Sequence, residues 1–267
     1  MKMSSLRWLW LLVSASALLA SACRDEPAHY VRRASLEPAT RSWTLVRAWP
    51  HDQTAFTQGL HYHDGFLYES TGLYGKSTLR KLDASTGRVI KKMLIPPRYF
   101  AEGIALVQDR LILLTWREQT GLVFDVEQFE LLNRFAYDGE GWGLAYDGKQ
   151  LIMSDGTARL RFFDPETFEP TGELTVMDGE QPLEWINELA MVEGELWANI
   201  WQQDRIACIN LENGRVIAWL DMESLARQAR NQSAEAEVMN GIAYDEATGR
   251  LWVTGKNWPV LYELRLE

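Results

Sequence analysis

One phrase returns five times along this chain and limits its possible folds more than any other feature. It reads QGLHYHDGFLYEST from Gln58, EGIALVQDRLILLT from Glu102, WGLAYDGKQLIMSD from Trp142, NELAMVEGELWANI from Asn187 and NGIAYDEATGRLWVTG from Asn240. The copies begin 44, 40, 45 and 53 residues apart. A period of about 40–50 residues built from short strands means a propeller or a solenoid. The second position is Gly in every copy but the fourth, which has Glu188, while the first changes from Gln to Glu, Trp and Asn. A scaffold that repeats while its corners differ has given those corners separate tasks.

Each repeat reads as one four-stranded antiparallel blade. In the first, LHYHDGFLYEST is two alternating strands joined at Asp64-Gly65, a strong hairpin signal. STLRKLDAST then ends on a turn from Asp83 to Gly87, and RVIKKMLI supplies the outer strand. Asp164-Pro165 starts the matching turn of the third repeat. The fifth repeat stops one strand short after PVLYELRLE, and SWTLVRAW, from Ser42 to Trp49, belongs to no repeat. The expectation is an all-β, five-bladed β-propeller over 42–267, its last blade closed by that N-terminal strand. Residues 221–238, rich in Ala, Glu, Arg and Gln without strand alternation, predict a helical insertion.

The first 23 residues have the form of a secretory signal: Lys2 and Arg7, an apolar Leu9–Leu19 core, then Ala20, Ser21 and Ala22 before Cys23. The ending resembles a bacterial lipobox, with Ala20 where Leu is usual. It implies a lipid on Cys23, a flexible tether over 24–41 and a periplasm-facing, membrane-anchored lipoprotein, the outer membrane preferred because Arg24 follows Cys23. An ordinary cleaved signal peptide is the alternative. Cys208, in the apolar run IACINL, has no partner for an intrachain disulfide once Cys23 is lipidated. Acidic residues number 37 against 27 Lys and Arg, a balance that argues against a nucleic-acid surface.

In a propeller, equivalent corners of successive blades converge at one mouth of the central channel. Candidates at the starts of the innermost strands are Gln58, Glu102, Trp142, Asn187 and Asn240; near the ends of the following strands they are Glu69, Trp116, Asp155, Trp201 and Lys256. Trp43, Trp49, Trp197, Trp219 and Trp252 read as core. Trp116, Trp142 and Trp201 stand beside strand-end polar residues and would make an aromatic surface for an apolar or cationic group. Glu102 in such surroundings would have a raised pKa, as a proton shuttle requires. His61 and His63 share a strand face, but no third ligand for a catalytic zinc is evident, so neither a metal nor a cofactor is expected.

AFTQGL, LYESTGLYGKSTL, YFAEGIA, LTW, GEGWGL, INELA, ANIWQQDRI, MNGIAYD and VTGKNWP together resemble the glutamine cyclotransferase family, the plant and bacterial type of glutaminyl-peptide cyclotransferase. The similarity covers about Ser42 to Glu267. It implies a five-bladed propeller that converts N-terminal glutamine of peptides or proteins to pyroglutamate with loss of ammonia, without a catalytic metal; apart from the resemblance, a monomer is expected. Carried over by motif, Glu102 is the acid/base carboxylate, and Asn187 and Lys256 are polar substrate contacts, placed to assist catalysis by stabilising charge on the amide oxygen. Gln58 contacts the substrate, Trp116, Trp142 and Trp201 form the wall, and Glu69 is a supporting or substrate-binding carboxylate. Asn257 departs from the apolar residue common after the lysine. The competing readings are a metal-dependent propeller lactonase, a glycosidase using Glu69 and Glu102, and a non-enzymatic scaffold.

Overall fold

The computed structural model describes residues 37–267. The expected signal segment, the lipidation site at Cys23 and most of the expected tether lie outside the described residues. The tether also ends earlier than expected. Ala39–Arg41 form a strand that pairs in parallel with the outer strand Val216–Asp221, Ala39 opposite Ala218 and Arg41 opposite Leu220. Arg41 fastens it, donating from Nη2 to Glu195 Oε1 at 2.8 Å. This extra strand covers the edge of the fourth blade.

Five sheets follow one another in chain order. The first runs Thr57–His63, Phe66–Thr71, Thr78–Asp83 and Val89–Leu94; the second Ala101–Val107, Arg110–Thr115, Thr120–Asp125 and Leu131–Ala136. The third is Leu144–Tyr146, Leu151–Met153, Arg159–Phe163 and Pro170–Thr175; the fourth Ile186–Val192, Glu195–Ile200, Arg205–Ile209 and Val216–Asp221. The fifth has three strands from the C-terminal region, Met239–Asp245, Arg250–Gly255 and Val260–Leu266, and takes Trp43–Pro50 as its fourth. Trp43 lies opposite Leu266 and Pro50 opposite Val260 in an antiparallel ladder, as the unassigned SWTLVRAW segment predicts. Each innermost strand contacts the next, and the fifth contacts the first, so the ring closes.

The turns repeat as the strands do. Asp83 and Asp125 end a third strand, Asp164 and Asn210 directly follow one, and all four accept backbone N–H bonds from residues two or three ahead. Such a side chain supplies the turn's missing partner, which is why Asp and Asn recur there. Between blades, five hydrophobic clusters fill the five wedges. Leu60 and Leu67 of the first blade meet Ala243 and Trp252 of the fifth, where Tyr62 stacks on Trp252 at 4.9 Å. Trp197 and Trp252 are fully buried. Trp43, Trp49 and Trp219 are only partly buried, packed on the core from its edge.

The expected insertion forms a helix, Glu223–Gln232. Leu225, Ala226 and Ala229 turn inward onto Met222, Met239, Trp258 and Tyr262, so it is part of the wedge between blades four and five. No described helix is long and apolar enough to cross a membrane.

Candidate active site

At one mouth of the ring lies a cavity of about 680 Å³. The innermost strands are built to present side chains to it. In blades one, two, four and five the ladder between the innermost strand and its neighbour slips at the strand start, between Thr57 and Gly59, Ala101 and Ile104, Ile186 and Leu189, and Met239 and Ile242. A bulge of this kind re-aims the side chain it carries. The slips fall on Gln58, Glu102, Asn187 and Asn240. In blade three the strand begins only at Leu144, leaving Trp142 ahead of the ladder. Gly59, Gly103 and Gly143, which follow the first three corners, let neighbouring backbones close up; a Cβ on Gly143 would run into the Asn187 carbonyl.

Gln58, Glu102, Trp142 and Asn187 line the cavity, with Trp116, Trp201 and Lys256, each the residue just after a second strand. Glu102 is 5% exposed and its Oε1 accepts a hydrogen bond from Gln58 Nε2 at 3.1 Å. Burial pushes its carboxyl well above the usual carboxylate range; Lys256 pulls it back, while Glu140 and Glu118 add to the rise. Burial in turn lowers the Lys256 ammonium against the pull of Glu102 and Glu237. Lys256 Nζ stands 4.9 Å from the Phe56 ring centroid. Asn187 is 2% exposed, and its Oδ1 has no partner among the described residues. A weakly solvated carboxyl, an amine and an amide whose oxygen is unpaired thus share one aromatic pocket, the carboxyl suited to moving a proton and the amine to polarising a carbonyl oxygen.

Three sequence candidates do not line the cavity. Asn240 is fully buried and braces Gln58 from behind, its Nδ2 donating to the carbonyls of Thr57 at 3.1 Å and Gln58 at 3.2 Å. Asp155 caps its own turn through the Thr157 N–H and lies 3.7 Å from Arg161. Glu69, expected to support or bind substrate, is sealed inside the first blade. It accepts from Thr57 Oγ1 at 2.6 Å and pairs with His51 at 3.0 Å and Arg80 at 3.5 Å. His51 Nδ1 meets the Trp258 carbonyl at 3.0 Å. Glu69 therefore ties the Gln58 strand to the Lys256 turn without touching the cavity.

The cavity also uses residues that are not among the sequence candidates. Glu140, inside the quoted GEGWGL motif, accepts from the indole N–H groups of both Trp116 (2.7 Å) and Trp142 (2.9 Å), and from Arg117 Nε at 3.1 Å. Burial opposes its charge, but these donors hold its carboxyl below the usual range. One carboxylate thereby fixes two of the three wall tryptophans. Phe56 and Phe100, beside Gln58 and Glu102 in their motifs, and Trp185, two residues before Asn187, complete the aromatic lining.

Among the described residues no group of three or more His, Cys, Asp or Glu side chains is placed to hold a metal ion. Burial pushes the Cys208 thiol up to about 12, which leaves it inert.

A family model described as glutamine cyclotransferase matches residues 13–266. Over 226 residues the chain is 41% identical to the glutaminyl-peptide cyclotransferase of Arabidopsis thaliana, across 84% of this chain and 71% of that protein. The crystal structure of Myxococcus xanthus glutaminyl cyclase is similar with a TM-score of 0.79 and 38% identity, covering 86% of this chain and 99% of that one.

Proposed function

Because the chain belongs to the glutamine cyclotransferase family, we propose that its cavity cyclises the N-terminal glutamine of peptides or proteins to pyroglutamate, with Glu102 as general acid and base. The observation that carries this reading is Glu102 itself, a buried carboxyl with a raised pKa at an aromatic floor, 3.1 Å from Gln58. The neutral α-amine of the substrate attacks its own side-chain amide carbon, forming the N–C bond of a five-membered lactam. Both reacting groups belong to one residue, so the pocket has chiefly to fold the side chain and manage protons. Glu102 takes a proton from the attacking amine and returns it to the amide nitrogen. The C–N bond then breaks and ammonia departs. Asn187 and Lys256 donate to the amide oxygen as it gains negative charge. Gln58 orients Glu102 as well as the peptide, and the tryptophans held by Glu140 exclude water.

The reaction is proposed to need no metal: among the described residues no His or Cys lines the cavity, and of its three carboxylates Glu102 and Glu140 are engaged by Gln58 and by Trp116, Trp142 and Arg117, which leaves Glu237 alone at the exposed rim. The protein is further proposed to be anchored through Cys23 on the periplasmic side of the envelope, on the strength of its leader sequence. The test is ammonia release and lactam formation from a Gln-initiated peptide in the presence of EDTA, with an Asn-initiated peptide as control. Turnover of the Gln peptide alone is expected; turnover abolished by EDTA and restored by a divalent metal would refute the metal-free scheme. Asn187→Ala is expected to lower kcat by about 10²- to 10³-fold with little change in KM. A change confined to KM would show that Asn187 holds substrate without stabilising the transition state.

A further inference from the structure

The cavity rim carries an exposed tryptophan that the chemistry does not use. Trp185 is 49% exposed, whereas the other exposed side chains lining the mouth, Arg117, Gln202 and Glu237, are polar or charged. Its backbone is left-handed, with φ of 67°, a conformation disfavoured for a bulky side chain and retained only where neighbours enforce it. They do so here. Trp185 N–H donates to the Gly156 carbonyl at 2.7 Å, and the Trp185 carbonyl accepts from Trp201 N–H at 2.9 Å. The small hairpin of Met177–Asp178 and Gln181–Pro182, inserted between blades three and four, delivers the chain to this point. The indole lies 5.1 Å from the Trp201 ring and 6.4 Å from that of Trp142, so the pocket's aromatic wall runs without a break up to the open rim.

A substrate in the reacting pose has its α-amine and side-chain amide beside Glu102 at the floor. Its own carbonyl must then lead the peptide up the wall, and the next side chain arrives at the mouth. Continuity of the aromatic wall gives that side chain an apolar surface on one side only. We infer that Trp185 is a specificity-determining residue that packs against the side chain following the N-terminal glutamine, so that peptides with an aromatic or large aliphatic second residue are favoured. This inference rests on the cyclase reading above.

The experiment compares steady-state turnover of Gln-Phe-Ala-amide and Gln-Gly-Ala-amide by the wild-type protein and the Trp185→Ala and Trp185→Phe variants. The wild type is expected to prefer the Phe peptide by about tenfold in kcat/KM, the scale of one apolar pocket contact. Trp185→Ala should erase most of that preference by raising KM for the Phe peptide, and Trp185→Phe should restore it. Turnover of both peptides by the wild type with no preference, or an equal loss on both in Trp185→Ala, would overturn this inference and leave the cyclase reading intact. No turnover of either peptide by folded wild-type protein would overturn both.

Discussion

Replacing Glu102 by Gln is expected to lower turnover of a Gln-initiated peptide by about 10²- to 10⁴-fold, the span of a general acid/base contribution. The substituted amide keeps the shape and still reaches Gln58, but can neither take the amine's proton nor return it. Stability should not fall in parallel, because the cavity already disfavours a charge at this position. An unchanged melting temperature beside a collapsed kcat would therefore separate chemistry from folding. The pH profile adds a second check. Glu102 must be ionised to accept the first proton and its pKa is raised, so turnover climbs with pH through a range above that of an ordinary carboxylate, about 4.3. Lys256 is the group that lowers this pKa, and the residual activity of Lys256→Met should show the acid limb moved to higher pH. A Glu102→Gln enzyme turning over at the wild-type rate would end the proposed mechanism.

What the sequence made legible was whatever the repeat encodes. The phrase itself predicts the blades, its truncated last copy predicts the closing strand Trp43–Pro50, and its first position predicts four residues of the cavity wall. The misplacements come from register. Thr71, Thr115, Ile200 and Gly255 are equivalent, each facing the start of its innermost strand in blades one, two, four and five. One residue further on, blades two, four and five carry Trp116, Trp201 and Lys256, which reach the cavity. The same position in blade one is Gly72, so Glu69 lies too early and inside the sheet. In blade three it is Gly156, and Asp155 falls one residue short. Both glycines serve the site by having no side chain: a Cβ on Gly72 would strike Phe100, and one on Gly156 would strike Trp142. An empty position that admits a neighbouring ring leaves no mark in a search for reactive residues. Glu140 was missed for a related reason, since its task is to hold Trp116 and Trp142, and only the folded ring brings them together.

Glu69→Ala is expected to act on stability instead, removing about 3–5 kcal/mol of unfolding free energy, because it strands buried partners without their counter-charge. Glu69 is fully buried, Arg80 is 2% exposed and His51 is 7% exposed. Burial opposes the charge on His51, yet the charge and hydrogen bond of Glu69 and the Trp258 carbonyl together raise its pKa. Burial opposes the charge on Glu69 as well, and His51, Arg80 and Thr57 outweigh it and lower the carboxyl. The two shifts bound a window. Glu69 contributes stability that is present above its unfolded pKa, about 4.3, and is lost as pH falls through the lower folded value. His51 contributes stability that is complete below about 6.5 and is lost as pH rises through its raised folded value. Urea titrations across pH should thus give the wild type a stability maximum between those limits and a flatter curve for Glu69→Ala. The folded fraction of the variant should keep kcat within about tenfold of wild type, because Glu69 reaches the cavity only through Thr57 and the Trp258 turn. Loss of turnover at undiminished stability would instead put Glu69 among the groups that meet the substrate.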